Sequence, residues 1–153
     1  MNETTITASR KINCPSSRVW EVLSDYGNIA NFHPLVKRSY ATNTIRGLGA
    51  TRHCDLLPMG AMEEKITNWE DGRSFVSEVM GGKMLPPCHF MRGIVQLQPS
   101  EEGCEVHFTF SYALKFGLLG KFMNLFLKPQ FEKGPPKYLY GLDQFVSSNH
   151  STK

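Results

Sequence analysis

Arg52, Glu64, His89 and Tyr112 are the residues of this chain whose types suit proton transfer at a carbonyl, and the strand pattern around them turns all four towards one interior. A His, Glu or Tyr can act as general acid or base on a carbon next to a polarised carbonyl, and an Arg or Tyr can hold the enolate oxygen that results. Cyclisation or dehydration of a polyketide-like or aromatic substrate is the reaction class such a set fits, although residue type alone identifies no reaction. Two other histidines read as bland: His33 as a helix-terminal residue fixed by Pro34, and His107 as a solvated strand residue. Gly47-Leu48-Gly49 lacks the Lys-Ser/Thr of a phosphate loop and completes no dinucleotide fingerprint, so it reads as a turn that can gate a cavity. Cys14, Cys54, Cys88 and Cys104 form no CxxC pair and no zinc spacing, which points to free, buried thiols. No cofactor and no metal are expected.

The elements that must position these residues follow from periodicity. Residues 4–13 alternate loosely around Ile6, Ala8 and Ile12 as a strand, and Cys14-Pro15-Ser16-Ser17 starts a short helix that buries Val19, Trp20, Val22 and Leu23. A second short helix, about Gly27 to Phe32, must end before Pro34. From Val36 to Leu114 the period becomes two, interrupted by five Gly-, Pro- or Asp-bearing turn clusters, which predicts six strands in an antiparallel meander and seven with the first. Helical spacing returns at Leu118, Phe122, Leu125 and Phe126. Pro129 and Gly134-Pro135-Pro136 should then kink or interrupt the helix before a last stretch carrying Leu139, Leu142, Phe145 and Val146.

Strand parity assigns the interior. A hairpin closing near Pro58-Met59-Gly60 puts Arg52, Met62 and Glu64 on one face, with Arg52 and Glu64 as diagonal neighbours that a buried setting would force to pair. The next hairpin adds Phe75, Ser77 and Val79. The last one turns Phe108, Phe110 and Tyr112 inward against Val95, Gly93, Met91 and His89, with Gly93 leaving room for a ring. These walls can enclose a pocket of roughly 300 to 1,000 Å³, the usual size of a small-molecule site. Phe122 and Phe126 would close it from the helix as a lid.

Composition limits the alternatives. Hydrophobic residues make up 41% and charged residues 20% of 153 residues, which fits one globular domain, placed at residues 1–147 with a frayed tail at 148–153. A net charge of +3 without a cationic run argues against nucleic-acid binding. There is no leader-like N-terminus and no eighteen-residue apolar run, so a cytoplasmic protein with no integral membrane segment is expected. The segment from Phe116 to Leu127 is apolar almost all round. Lys115, Lys121 and Lys128 could hold its neighbourhood near an anionic surface, and a homodimer would explain the same residues.

The order strand, two short helices, six strands and a long helix is an α+β helix-grip fold, a curved seven-stranded antiparallel sheet gripping a C-terminal helix. In Pro15-x-x-x-Val19-Trp20-x-x-Leu23-x-Asp25, Phe32-His33-Pro34, Gly47-x-Gly49-x-x-Arg52, Glu64-x-Ile66-x-x-Trp69 and Gly141-Leu142 the chain resembles the START-like, pollen-allergen-type helix-grip superfamily. It is most similar there to bacterial polyketide cyclase and dehydrase-like proteins. Two features depart from that pattern: Phe32 stands where tryptophan is common, and Gly134-Pro135-Pro136 breaks a helix that is usually continuous. The resemblance implies a cavity for a hydrophobic small molecule between sheet and helix, with a cyclase or dehydrase as the rival function.

Overall fold

Alternation of apolar and polar side chains builds the sheet, and its turns fix the order. The computed structural model describes residues 2–151, with side chains up to Ser148. Strand β1 (Glu3–Ile12) is followed by helix α1 (Ser16–Ser24) and a 3-10 helix (Tyr26–Asn31). Six strands then run consecutively: β2 (Val36–Ala41), β3 (Thr51–Leu56), β4 (Ala61–Glu70), β5 (Ser74–Lys83), β6 (Cys88–Ser100) and β7 (Gly103–Leu114). Helices α2 (Gly117–Phe131) and α3 (Gly134–Ser151) complete the chain. The spatial order is β1-β7-β6-β5-β4-β3-β2, antiparallel throughout, so the meander is extended by the first strand pairing with the last.

Register shifts in β2, β4, β5 and β6 insert unpaired residues that bend the strands and curve the sheet. On its concave side α3 buries Tyr138, Leu139, Leu142 and Val146, the i, i+1, i+4 and i+8 stripe of one helix face. Helix α1 buries Val19, Trp20, Val22 and Leu23 at one end of the same core. There Trp20, Trp69 and Phe75 pack with ring centroids 5.0 to 6.0 Å apart, and the Trp20 indole N–H reaches Asp71 at 3.2 Å. The aromatic residues of the sequence motifs therefore fasten α1 to the sheet. Three of the four cysteines are buried and all four are free thiols.

Gly141 lies where α3 crosses the chain after the 3-10 helix. A Cβ there would come 2.0 Å from the carbonyl oxygen of Phe32. In an exposed helix Gly→Ala gains about 1 kcal/mol from helix propensity. Here the sign should reverse: Gly141→Ala is expected to lower stability by about 1–3 kcal/mol, because backbone must move. Urea unfolding measures this, and a stabilised variant would refute the close approach.

The C-terminal helix is divided, as the prolines require. Pro135 and Pro136 occupy the first turn of α3, where a missing N–H costs little, and Glu132 and Lys133 form the joint. Two expectations change here. Helix α3 continues to Ser151, beyond the boundary at 147, while residues 152 and 153 lie outside the described residues. Helix α2 presents Gly120, Met123, Asn124, Leu127 and Phe131 towards the protein, and leaves Phe122 and Phe126 58% and 63% exposed. Its rotation is set at its start, where a Cβ on Gly120 would meet the Lys115 carbonyl at 2.2 Å. Phe122 and Phe126 consequently do not line the cavity.

Candidate functional site

Between the concave face, the 3-10 helix and the α2–α3 joint lies a cavity of about 290 Å³. Its sheet wall is Met62, Phe75, Val79, Met91, Val95, Phe108 and Phe110, and Phe131 and Pro135 close it from the helices. Gly93 belongs to this wall. A Cβ there would press on the Phe108 ring at 3.1 Å, so glycine makes room for Phe108, its diagonal neighbour, rather than for Phe110 directly opposite.

One corner is polar. Arg52 and Glu64 stand directly opposite each other on β3 and β4, closer than the diagonal arrangement read from the sequence, and are 6% and 7% exposed. The Arg52 Nε donates to Glu64 Oε1 at 2.8 Å, and its Nη1 donates to the Tyr26 carbonyl at 3.1 Å. The guanidinium also lies 3.9 Å above the Tyr26 ring. Ser77 donates to Glu64 Oε2 at 3.1 Å, Cys54 Sγ approaches Oε1 at 3.8 Å, and the Tyr26 and Ser77 hydroxyls share a hydrogen bond. The carboxylate is thus held on both oxygens. The arginine keeps an unengaged donor, because Nη2 has no partner among the described residues.

Burial alone would lower the Arg52 pKa, but the facing Glu64 carboxylate overrides it and pushes the pKa up, so the charge persists. Burial raises Tyr26 and Tyr138 and pushes the Cys54 thiol up to about 12, which keeps all three protonated at neutral pH. His33 shifts the other way, to about 4, because burial and then the positive charges of Arg52 and Lys137 oppose a second proton. Its Nδ1 accepts from the Leu35 N–H at 3.4 Å, which leaves the proton of the neutral ring on Nε2. Tyr138 is 3% exposed, and its hydroxyl makes no hydrogen bond among the described residues.

The structure brings together Arg52, Met62, Glu64, Phe75, Met91, Phe108 and Phe110 and separates the other two sheet candidates from them. His89 sits in the β6 register shift between Cys88 and Phe90, is exposed, and opens onto a different depression beside Thr4, Lys121 and Asn124. Tyr112 is fully buried, but under α2: its hydroxyl donates to Asn124 Oδ1 and its ring packs 4.6 Å from Phe131. It anchors the helix. The Gly47–Gly49 turn rests against Trp69, away from the cavity lining, so it is no gate. His89 and Tyr112 are absent from the cavity, and His33, Arg92, Gln130 and Tyr138 are polar residues of its lining beyond the Arg52–Glu64 corner. Only the Phe32-His33-Pro34 motif hinted at His33; Tyr138 carried no sequence signal. Among the described residues no group of three or more His, Cys, Asp or Glu is placed to hold a metal ion.

No curated protein matches the chain in sequence. In three dimensions it is similar to TTHA0849 from Thermus thermophilus, with a TM-score of 0.79 at 18% identity, over 95% of this chain and 99% of that one. Ara h 8.0201 superposes with a TM-score of 0.72 at 11% identity, over 96% of this chain and 99% of the other. At such identities the likeness is one of fold, a curved antiparallel sheet gripping a C-terminal helix. Residues 3–145 match the family model described as polyketide cyclase / dehydrase and lipid transport, and the chain belongs to that family.

Proposed function

We propose that the cavity binds one lipophilic small molecule with a polar, acceptor-bearing end. The observation that carries this reading is the asymmetry of the cavity: apolar on nearly every side, with unspent donors of Arg52 and Tyr138 in one corner. A carboxylate, carbonyl or hydroxyl oxygen placed there would satisfy groups that otherwise have no protein partner, while the remainder of the ligand meets Phe75, Met91 and Phe108. The family description, which includes lipid transport, supports the same reading.

A thermal-shift screen of fatty acids, sterols and flat aromatics tests it, together with native mass spectrometry of gently purified protein. A ligand at 100 times its Kd should stabilise the fold by about 2.7 kcal/mol. Tyr138→Phe should change stability by less than about 0.5 kcal/mol. It should nevertheless weaken a ligand that accepts from the hydroxyl by roughly 3- to 10-fold, the worth of one neutral hydrogen bond. No hit in any class, or a Tyr138→Phe protein that binds its ligand unchanged, would count against the assignment.

The family description also names cyclases and dehydrases. One local feature favours that second reading, an imidazole kept neutral beside a guanidinium: His33 would move the proton and Arg52 would hold the enolate oxygen. Turnover of a linear polyketide analogue that is lost in His33→Gln would establish it.

A further inference from the structure

We infer that the outer face of α2, together with the β3–β4 and β5–β6 turns, docks onto an anionic lipid bilayer. The face is apolar where a solvated helix would be polar. Leu118 is 81% exposed and Leu125 71%, with Leu119, Phe122 and Phe126 beside them on the side of α2 turned away from the sheet. Antiparallel order brings the ends of β3, β5 and β7 to the same edge of the sheet, so the turns after β3 and β5 lie beside the start of α2. Lys115 N–H bonds the Pro87 carbonyl at 2.9 Å, and the Met84 Cβ lies 3.6 Å from where a Cβ on Gly60 would stand, which joins the three segments. Leu57, Met59, Met80 and Met84 add exposed side chains there. Clustering at one edge distinguishes these side chains from the singly scattered apolar residues of an ordinary surface.

Charge selects the occupant. Lys83, Lys115, Lys121 and Lys128 are all exposed around these side chains, and residues 79–100 and 106–131 contain no Asp or Glu; the first carboxylate along α2 lies past its end, at Glu132. A second copy packed through the same face in a two-fold dimer would set these lysines against one another. An anionic headgroup layer complements them, while the leucines, phenylalanines and methionines enter the acyl boundary. None of the described helices is long and apolar enough to cross a membrane, so the contact is peripheral. Leu57 belongs both to this face and to the cavity lining, so a docked protein would hold the cavity rim against the bilayer. The docking does not depend on what the cavity holds.

Co-sedimentation of the full chain with vesicles is the test. Binding is expected to vesicles of phosphatidylcholine mixed with phosphatidylglycerol, to weaken on pure phosphatidylcholine, and to fall as salt is raised. Lys121→Gln and Lys128→Gln should each reduce partitioning about fivefold. Leu118→Ser combined with Leu125→Ser should abolish it while leaving the melting temperature unchanged. As a readout independent of those variants, Phe122→Trp should shift its emission to the blue when the mixed vesicles are added. The inference is overturned if the protein stays in the supernatant with anionic vesicles, if the serine or glutamine variants bind like the parent, or if sedimentation velocity shows a dimer that Phe122→Ser dissociates. Loss of ligand binding in the cavity with vesicle binding intact would leave it standing.

Discussion

Glu64→Gln is expected to destabilise the fold by about 3–5 kcal/mol, the usual consequence of leaving one buried charge without its counter-charge. The glutamine would keep the shape of the side chain and the bond from Ser77, so the loss would come from Arg52, a guanidinium that is 6% exposed and would face a neutral amide. The Tyr26 carbonyl and ring would still support that cation, which places the effect nearer the lower limit. Replacing both partners gives the contrast. Arg52→Met with Glu64→Leu removes the two charges together, and such exchanges are often neutral or stabilising. The double variant should therefore unfold at a urea concentration close to that of the parent, with the single variant well below both. If Glu64→Gln costs under about 1 kcal/mol, the pair is solvated and behaves like a surface salt bridge. The double variant has a second use. A stable protein without the Arg52 donor, and with less affinity for a carboxylate-bearing ligand, would separate the role of the pair in binding from its role in folding.

That pair was legible in the sequence because moving the centre of a turn by a whole residue shifts the pairing by two and preserves strand parity, whereas a one-residue slip in pairing would reverse it. Closing the β3–β4 hairpin one residue too late moves Arg52 from opposite Glu64 to diagonal, but leaves both on the concave face. The β6–β7 pairing was read in its actual register, with Leu97 opposite Val106 and Gly93 opposite Phe110. Parity fails at a bulge. The register shift between Cys88 and Phe90 takes His89 out of the alternation and leaves it exposed, although every residue from Phe90 onwards obeys the pattern. Tyr112 obeys it too, yet facing inward was not sufficient, because the part of the interior it meets is covered by α2 and Asn124. The rotation of α2 was beyond reach: a helix apolar on all sides has no preferred face in sequence, and the close approach of Gly120 to the Lys115 carbonyl depends on the positive-φ turn at Phe116 and Gly117 that leads into the helix. His33 was hidden by a short 3-10 segment, which carries no helical period long enough to assign a face. Tyr138 lies on the buried stripe of α3, and only its hydroxyl, without a hydrogen-bond partner among the described residues, distinguishes it from Leu139 and Leu142.

His33 should make the protein lose stability in acid, over a window set by its two pKa values. In the unfolded chain an imidazole titrates near 6.5, and in the fold His33 is lowered to about 4 by burial, Arg52 and Lys137. Above pH 6.5 the ring is neutral in both states and no linkage arises. Between pH 6.5 and 4 the unfolded chain takes up the proton and the folded one does not, so stability falls as pH falls; below 4 both are protonated and the loss is complete. A difference of this size corresponds to about 3 kcal/mol. His53 has the opposite sign: hydrogen bonds to Glu63 and Asp55 raise its pKa, so its contribution is present below pH 6.5 and is lost as the pH rises through the folded value. The two histidines thus act in different windows. Unfolding free energies measured from pH 7 to 4 should fall steeply for the parent and less steeply for His33→Gln, with the gap opening only below pH 6.5; parallel curves would mean that His33 titrates normally. The same linkage identifies the ligand's charge. A carboxylate seated beside Arg52 and His33 would favour the imidazolium, so binding would take up a proton and tighten as the pH falls towards 4. A neutral acceptor has no such effect, and calorimetry in two buffers of different ionisation enthalpy distinguishes them.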